Sequence, residues 1–301
     1  MSAVLLPYTR DGDIDWTSFE AHLSRTASAG LVPAVNMDTG YVQLLGADDR
    51  RRALDLAASV TGGDFVAGAQ VGDAPGDAFD HEGMVTAATA VLELGGTPVV
   101  FPSHGLDALD GPEWVAAMAR FGNEVDRFIG FELGSMFVPY GRIYDLQTYE
   151  ALLGIGSCIG AKHSSLDRVA EWERLALRDR VRPDFRVLTG NDLAIDMVVY
   201  GSDYLLGLST FAPDLFAIRD RLWAADDGRF WEVNDVLQYL GTFAFRPPVP
   251  AYRHDAATFL ELRGWAVSDH TPDGVPRRPA SERDVLADIA GRVDALVEEL
   301  G

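Results

Sequence analysis

Lys162 is the residue whose position points most directly to chemistry. It stands at the end of a short apolar run, residues 154–162, that is too short for a helix and is flanked by glycines. Such a run is typical of a buried strand in a parallel sheet. At the rim of the core, loss of water lowers the pKa of an amine, and a neutral amine can attack a carbonyl carbon. A lysine held in a salt bridge or kept in solvent fits the same stretch equally well.

Other polar side chains stand at the ends of further apolar runs, and together with the lysine they form a candidate site. The set offers carboxylates, hydroxyls and an imidazole, which suit proton transfer and the binding of a polar substrate. Among these residues we expect Glu132 and His104 to act with Lys162 in catalysis. The residues expected to bind substrate are Asp38, Thr39, Gly40, Ser103, Asn191, Asp192 and Ser209.

The elements that must position these residues alternate regularly between strand and helix patterns. Eight strand candidates are present, at residues 5–9, 31–36, 65–70, 97–101, 127–132, the run that ends at Lys162, 185–189 and 202–209. This alternation predicts an α/β fold, a parallel sheet closed into a (β/α)8 (TIM) barrel, in which the carboxyl ends of the strands form the active-site face. A doubly wound open sheet is the alternative, but no Gly-x-Gly-x-x-Gly follows a strand.

Beyond residue 212 the pattern is only helical. Helices are expected at residues 215–225, 229–243, 256–262 and 283–300. We therefore predict a barrel domain at 1–225 and a C-terminal helical extension at 226–301 that packs on it.

Composition narrows the possible partners. Asp and Glu number 46 against 25 Lys and Arg, which gives a net charge of -21 and repels nucleic acid and anionic lipid. Cys158 is the only cysteine, so no internal disulfide can form. The chain begins without a signal-peptide pattern and has no membrane-length apolar run, so we expect a cytoplasmic protein that does not bind membranes.

Two common catalytic arrangements are missing from the sequence. The six histidines are isolated and no His-Glu-x-x-His occurs, so no metal site is predicted. A Gly-x-Ser-x-Gly nucleophile turn is also absent. Lys162 remains the best candidate for a nucleophile.

From residue 6 to about residue 279 the chain resembles a known family, the class I pyruvate aldolases of the dihydrodipicolinate synthase and N-acetylneuraminate lyase superfamily. The motifs that carry the resemblance are Asp-Gly-Asp-Ile-Asp at 11–15, Met-Asp-Thr-Gly at 37–40, Ile-Gly-Ala-Lys-His-Ser-Ser at 159–165, Val-Leu-Thr-Gly-Asn-Asp at 187–192, and residues 201–213. The resemblance implies that Lys162 forms a Schiff base and that residues 38–40 hold the substrate carboxylate. It also implies a homotetramer and chemistry that needs no cofactor.

The chain departs from the family pattern at several positions. Pro102-Ser103-His104 stands where the family has Pro-Tyr-Tyr, and no tyrosine matches the family's proton-relaying tyrosine. Tyr140 is a candidate replacement, and Arg142 falls near the family's carboxylate-binding arginine. Asp38 replaces a threonine, and its charge would repel a bound carboxylate.

The sequence therefore predicts a Schiff-base lyase, an aldolase or dehydratase, that acts on a 2-oxo acid or a sugar-acid-like small molecule through Lys162. The main alternative is an altered barrel that binds a small polyol or acid without covalent chemistry. A metal-dependent hydrolase on the same fold is a third, more distant possibility.

Overall fold

Eight parallel strands form the centre of the molecule in a computed structural model that describes all residues, 1–301. The strands follow one another in sequence order around the sheet. They are β1 (Ser2–Ala3), β2 (Pro33–Val35), β3 (Val66–Ala69), β4 (Thr97–Val100), β5 (Phe128–Leu133), β6 (Cys158–Ser164), β7 (Arg186–Thr189) and β8 (Asp203–Tyr204).

The sheet closes on itself where the first strand meets the chain just after the last. Ser2 forms a parallel bridge with Leu206, and the Ala3 N–H donates to the Leu206 carbonyl at 3.3 Å. Helices lie between successive strands, so the predicted (β/α)8 barrel with additional C-terminal helices is confirmed.

Eleven α-helices surround the strands. They are α1 (Trp16–Ser28), α2 (Ala47–Thr61), α3 (His81–Leu92), α4 (His104–Asp107), α5 (Gly111–Gly122), α6 (Leu146–Leu153), α7 (Arg168–Val181), α8 (Pro213–Ala224), α9 (Arg229–Ala244), α10 (Tyr252–Leu262) and α11 (Arg283–Leu300). No helix is long and apolar enough to cross a membrane.

Aspartates cap the amino ends of five helices around the barrel. Asp15, Asp80, Asp110, Asp145 and Asp167 each accept a hydrogen bond from a backbone N–H in the first turn of the helix that follows. Such a cap stabilises a helix by roughly 1 kcal/mol relative to alanine and suits the positive end of the helix dipole. Part of the acidic excess therefore serves the fold directly.

The first predicted strand differs in the structure, and so does the usual role of two possible capping residues after β7. The first strand lies at Ser2–Ala3 and not at residues 5–9, because the Leu5 N–H donates to the Thr210 hydroxyl at 2.9 Å and so leaves the strand ladder. Asn191 and Asp192, which follow β7, are residue types that commonly cap a helix. The Asn191 side chain instead accepts from the Leu193 N–H, and a 3-10 helix begins only at Ile195 (Ile195–Tyr200).

The last helices share a hydrophobic core with the barrel's outer layer. One cluster of 44 buried residues includes Phe19 of α1, Phe216 of α8, Leu237 of α9, Phe259 of α10 and Ile289 of α11. The helices α9 and α11 pack against α8, α10 packs against α9 and α11, and the start of α10 reaches the carboxyl ends of the strands.

Candidate active site

Lys162 lies inside the barrel at the carboxyl end of β6. Strand pairing aligns it with Phe131 of β5 and Leu188 of β7, and its side chain is buried, with 7% of the residue exposed. It is the only lysine in the chain, whereas the other 24 residues of the Lys and Arg total are arginines. Apart from Lys162, which is buried, every residue of the Lys and Arg total is therefore an arginine, including all of those on the surface.

A small inner cavity surrounds the end of the Lys162 side chain. It has a volume of about 10 Å³, room for roughly one water. The cavity is lined by Asp38, Thr39, Leu133, Phe137, Lys162, Ser164, Asp192, Gly207 and Tyr252. The sequence prediction named Asp38, Thr39, Lys162 and Asp192 from this group, and the structure brings those four together.

The surroundings of Lys162 favour its neutral form. Burial lowers the pKa of the amine, although Asp192 and Asp38 act in the opposite direction. Nζ lies 4.6 Å from the centre of the Phe131 ring and has no carboxylate within salt-bridge distance. Desolvation without a close counter-ion is the condition under which a lysine becomes a nucleophile near neutral pH.

Asp192 is the second titratable group of the inner cavity. Its Oδ1 accepts a hydrogen bond from the Leu208 N–H at 2.7 Å, while Oδ2 receives no hydrogen bond from the protein. Burial raises the pKa of this carboxyl, and the Leu208 hydrogen bond and Lys162 only partly offset that rise. The group can therefore exchange a proton near neutral pH, as a general acid or base requires.

A hydrogen-bonded chain of side chains forms the opposite wall. The Tyr252 hydroxyl donates its proton to Asp38 Oδ2 at 3.0 Å. Because that proton is used, the Thr39 hydroxyl donates to the Tyr252 oxygen, which lies 2.9 Å from it. Arg253 completes the group, because its Nη1 donates to the Asp38 carbonyl at 3.3 Å and to Asp38 Oδ1 at 3.4 Å. Burial and the Asp38 charge hold the pKa of Tyr252 well above its ordinary value, so the phenol keeps its proton.

A wider outer cavity of about 260 Å³ lies next to the inner one, and the two share Asp38 and Phe137. The residues that line it are Asp38, Gln43, Leu44, Phe137, Val138, Pro139, Tyr140, Arg253, Asp273, Gly274 and Val275. Tyr140 therefore faces the entrance and not the amine. A larger depression of about 420 Å³ between α5 and α6 holds none of the predicted site residues.

The structure places Glu132 outside both cavities. Its neighbour Phe131 faces the barrel interior beside Lys162, so the alternation along β5 turns Glu132 outward beside His163. The buried carboxylate accepts from His163 Nδ1 at 2.7 Å, from Arg174 Nε and Nη2 at 2.7 Å each, and from the Tyr144 N–H at 3.0 Å. Burial raises the pKa of Glu132, but hydrogen bonds from Arg174 and His163 outweigh it and lower the pKa.

Three further predicted residues make contacts away from the lysine. The His104 N–H donates to Asp73 at 2.8 Å, and its ring lies against Tyr140, 4.2 Å between centres. The guanidinium of Arg142 donates to the carbonyls of Asp107 and Leu109, at 3.3 and 2.6 Å. Ser103 caps α4 by accepting from the Leu106 N–H at 3.2 Å.

The remaining predicted residues support the backbone around the cavity. Asn191 and Ser209 are buried, and their side chains bond to the Leu193 N–H and the Leu206 carbonyl. Gly40 is buried against the first strand, where an added Cβ would lie 3.3 Å from the Val4 carbonyl oxygen. None of these three lines the inner cavity.

Five cavity residues were missed in the sequence. Ser164 lies two positions after Lys162 on the same strand, so the alternation of a strand could have identified it. Tyr252 is 213 residues from its partner Thr39 and starts a C-terminal helix, and no local pattern indicates that it turns inward. The other three are Leu133, Phe137 and Gly207.

Comparison with solved structures gives close matches over the whole chain. Dihydrodipicolinate synthase from Thermotoga maritima superposes with a TM-score of 0.79 at 16% identity, covering 97% of each chain. A putative dihydrodipicolinate synthetase from Pseudomonas aeruginosa gives 0.81 at 15% identity, covering 97% of this chain and 98% of that one. Sialic acid aldolase from Ruminococcus gnavus gives 0.78 at 13% identity, covering 100% and 98%. The chain has the dihydrodipicolinate synthase fold.

The predicted resemblance is thereby confirmed for the fold. No protein-family profile and no curated protein sequence matches the chain. This chain has the dihydrodipicolinate synthase fold but a divergent sequence. Because a fold does not determine a function, the function must be inferred from this chain's own side chains.

Proposed function

We propose that the protein is a Schiff-base lyase that uses Lys162 to cleave a C–C or C–O bond near the carbonyl group of a small molecule. The observation that carries the proposal is the burial of the only lysine in the chain at the carboxyl end of a barrel strand, without a close counter-ion. A neutral amine facing a cavity is the group that imine chemistry needs.

The proposed reaction begins when neutral Lys162 Nζ attacks the carbonyl carbon. A C–N bond forms, the C=O electron pair moves to oxygen, and proton transfers give a carbinolamine. Asp192, after accepting the proton that Lys162 loses to become neutral, is suited to donate that proton to the departing hydroxyl, which leaves as water and gives an iminium ion. For C–C cleavage the iminium accepts the electron pair of the breaking C–C bond and becomes an enamine, whose carbon is then protonated. For C–O cleavage the iminium first accepts the pair of a neighbouring C–H bond as the proton leaves to a base, and the enamine expels the oxygen, which departs with the C–O pair and is protonated. In both cases hydrolysis of the product imine returns the free amine.

Two neighbours of similar fold add support. One solved structure is a variant of the Ruminococcus gnavus sialic acid aldolase altered at its catalytic lysine, and another is an Escherichia coli protein of the dihydrodipicolinic acid synthase family in complex with pyruvate. These relatives make 2-oxo acids and related sugar acids the first compounds to test. They are the substrate class that the sequence resemblance implies.

Reductive trapping tests the covalent step. The protein is incubated with each carbonyl compound and borohydride, and the labelled site is located by peptide mass spectrometry. We expect a reduced adduct at Lys162 and none at that position in Lys162→Arg. The N-terminal amine is the only other amine in the chain and serves as an internal control in both proteins. If no carbonyl compound labels Lys162, covalent catalysis is refuted.

The second candidate function is binding without covalent chemistry, and the outer cavity favours it, because its volume of about 260 Å³ can hold a small ligand and Lys162 does not line it, whereas the inner cavity is much smaller. A volume of about 10 Å³ admits no substrate unless Phe137 or its neighbours move. Lys162→Ala distinguishes the two functions. Loss of turnover supports the lyase, whereas unchanged ligand affinity in a protein that never turns over supports binding alone.

We also propose that the chain associates with itself, as the resemblance to tetrameric aldolases implies. Several large aromatic side chains are exposed on its outer surface, including Trp172, Tyr200, Trp223, Trp231 and Tyr239. Light scattering after size-exclusion chromatography gives the mass directly. A monomer across the accessible concentration range would contradict this expectation.

A further inference from the structure

The side chains around Lys162 present mainly hydrogen-bond acceptors to a ligand. Asp192 Oδ2 receives no hydrogen bond from the protein. The hydroxyl protons of Tyr252 and Thr39 are both used within the chain that ends at Asp38, so Thr39 faces the cavity with lone pairs. Ser164 supplies the one free neutral hydroxyl. A ligand that donates hydrogen bonds matches such a wall.

Apart from Lys162, no cation lines the inner cavity; Arg253 Nη2 makes no hydrogen bond within the protein, but Arg253 lines only the outer cavity. Arg253 already donates through Nη1 to Asp38 and through Nε to the Pro250 carbonyl at 3.2 Å. Arg142 donates to two backbone carbonyls outside the cavities. Within the inner cavity Lys162 is the only positive group, and in the proposed reaction it is consumed as the nucleophile.

Negative charge surrounds the position where a substrate would sit. Asp38 and Asp192 line the inner cavity, and Asp273 joins Asp38 at the outer one. The net charge of the whole chain is -21, so the long-range field also disfavours the approach of anions. A carboxylate beside the carbonyl group would meet two buried carboxyl groups at close range without a partner of its own.

We propose that the substrate is a small carbonyl compound with a neutral hydrogen-bond donor, such as a hydroxyl, on the carbon next to the carbonyl, in place of the carboxylate of a 2-oxo acid. This inference rests on the proposed Schiff-base function and names its substrate class. The donor binds Asp192 Oδ2 and the Asp38 side of the cavity, and the carbonyl carbon faces Lys162 Nζ.

Three ketones with a common methyl ketone group provide a matched test. Pyruvate carries a carboxylate, pyruvamide replaces it with a neutral amide of the same shape, and hydroxyacetone replaces it with a hydroxymethyl group. Cyanoborohydride labelling of Lys162 is measured over a concentration series for each compound. Rates are divided by the rate of labelling of N-acetyl-lysine amide, which corrects for the intrinsic reactivity of each ketone.

We expect the concentration that gives half-maximal labelling of Lys162 to be at least about tenfold lower for each neutral compound than for pyruvate. A tenfold ratio corresponds to a difference of about 1.4 kcal/mol in binding free energy. Asp38→Asn and Asp192→Asn should each reduce this preference. Asp235→Asn, an exposed change on α9 away from both cavities, removes one negative charge from the chain and should leave the preference unchanged.

The outcomes separate the two proposals. If pyruvate labels Lys162 at an equal or lower concentration than the neutral ketones, the substrate class is wrong and the Schiff-base function stands. If no ketone labels Lys162, the Schiff-base function itself fails. The wild-type comparison decides both points, so the inference stays testable even if a cavity variant fails to fold.

Discussion

Replacing Glu132 with glutamine separates a structural role from the catalytic role that the sequence predicted for it. The carboxylate is fully buried and accepts four hydrogen bonds from Arg174, His163 and the Tyr144 N–H. Glutamine has nearly the same shape but no charge, and its NH2 group cannot accept from the guanidinium. The Arg174 side chain, 3% exposed, would then be left in the interior with an incomplete partner.

The size of the effect follows from the burial. Breaking a buried ion pair by altering one partner costs about 3–5 kcal/mol, because the other charge remains desolvated. For 301 residues the entropy of unfolding is about 0.6 kcal/mol/K, so this loss lowers Tm by about 5–8 °C. We expect that decrease in calorimetry at pH 7.5.

A matched control is available elsewhere in the chain. Glu124 also accepts from a histidine, His81 Nε2 at 2.8 Å, but its side chain is 44% exposed. Glu124→Gln should therefore leave Tm almost unchanged. Labelling of Lys162, measured well below Tm, should proceed in Glu132→Gln at close to the wild-type rate. An unchanged Tm together with a large loss of labelling would refute the structural role and restore Glu132 as a catalytic residue.

Three further predictions concern the cavity and the pH dependence of stability. Asp192→Asn removes a charge that raises the pKa of Lys162, so the pH midpoint of Lys162 labelling should shift to lower pH. Gly190→Ala would put a Cβ 2.8 Å from Lys162 Cε and should slow labelling at least about tenfold, whereas Gly156→Ala, which meets no atom within 4 Å, should not. Burial, with nearby arginines, lowers the pKa of His22 from 6.5 to about 3, so its neutral form stabilises the fold above pH 6.5 and this stabilisation is lost as the pH falls. In urea titrations at pH 7 and pH 5, the stability difference between wild type and His22→Gln should therefore shrink by about 2 kcal/mol.

The sequence was sufficient for the barrel and for the amine at its centre. The regular alternation of apolar runs and helix patterns predicts the eight strands, and the run that ends at Lys162 is too short for any other element. The first strand was placed too late because residues 5–9 are equally apolar. Which of them enters the ladder depends on Thr210, far along the chain, which takes the Leu5 N–H.

The rest of the site depends on orientation and on distant contacts. Glu132 stands near the end of its strand, as an active-site residue would, but its side chain points out of the barrel beside His163 of β6. Successive residues of a strand face opposite sides of the sheet, so a shift of one position decides whether a side chain enters the site. Tyr252 and Arg253 lie in α10, whose sequence indicates that the helix is buried but not that it contacts the site. Their hydrogen bonds to Asp38 result from tertiary packing alone. Such contacts leave no periodic signal.

Because Tyr252 and Arg253 come after all eight strands in the sequence, the wall of the inner cavity is completed late in synthesis on the ribosome. The barrel wall can close once Leu206 reaches Ser2, well before α10 has been synthesised. Until then Asp38 lacks both of the side chains that hold it, and the wall opposite Lys162 is incomplete. A nascent barrel of this kind has all eight strands before the wall of the inner cavity that α10 supplies is in place.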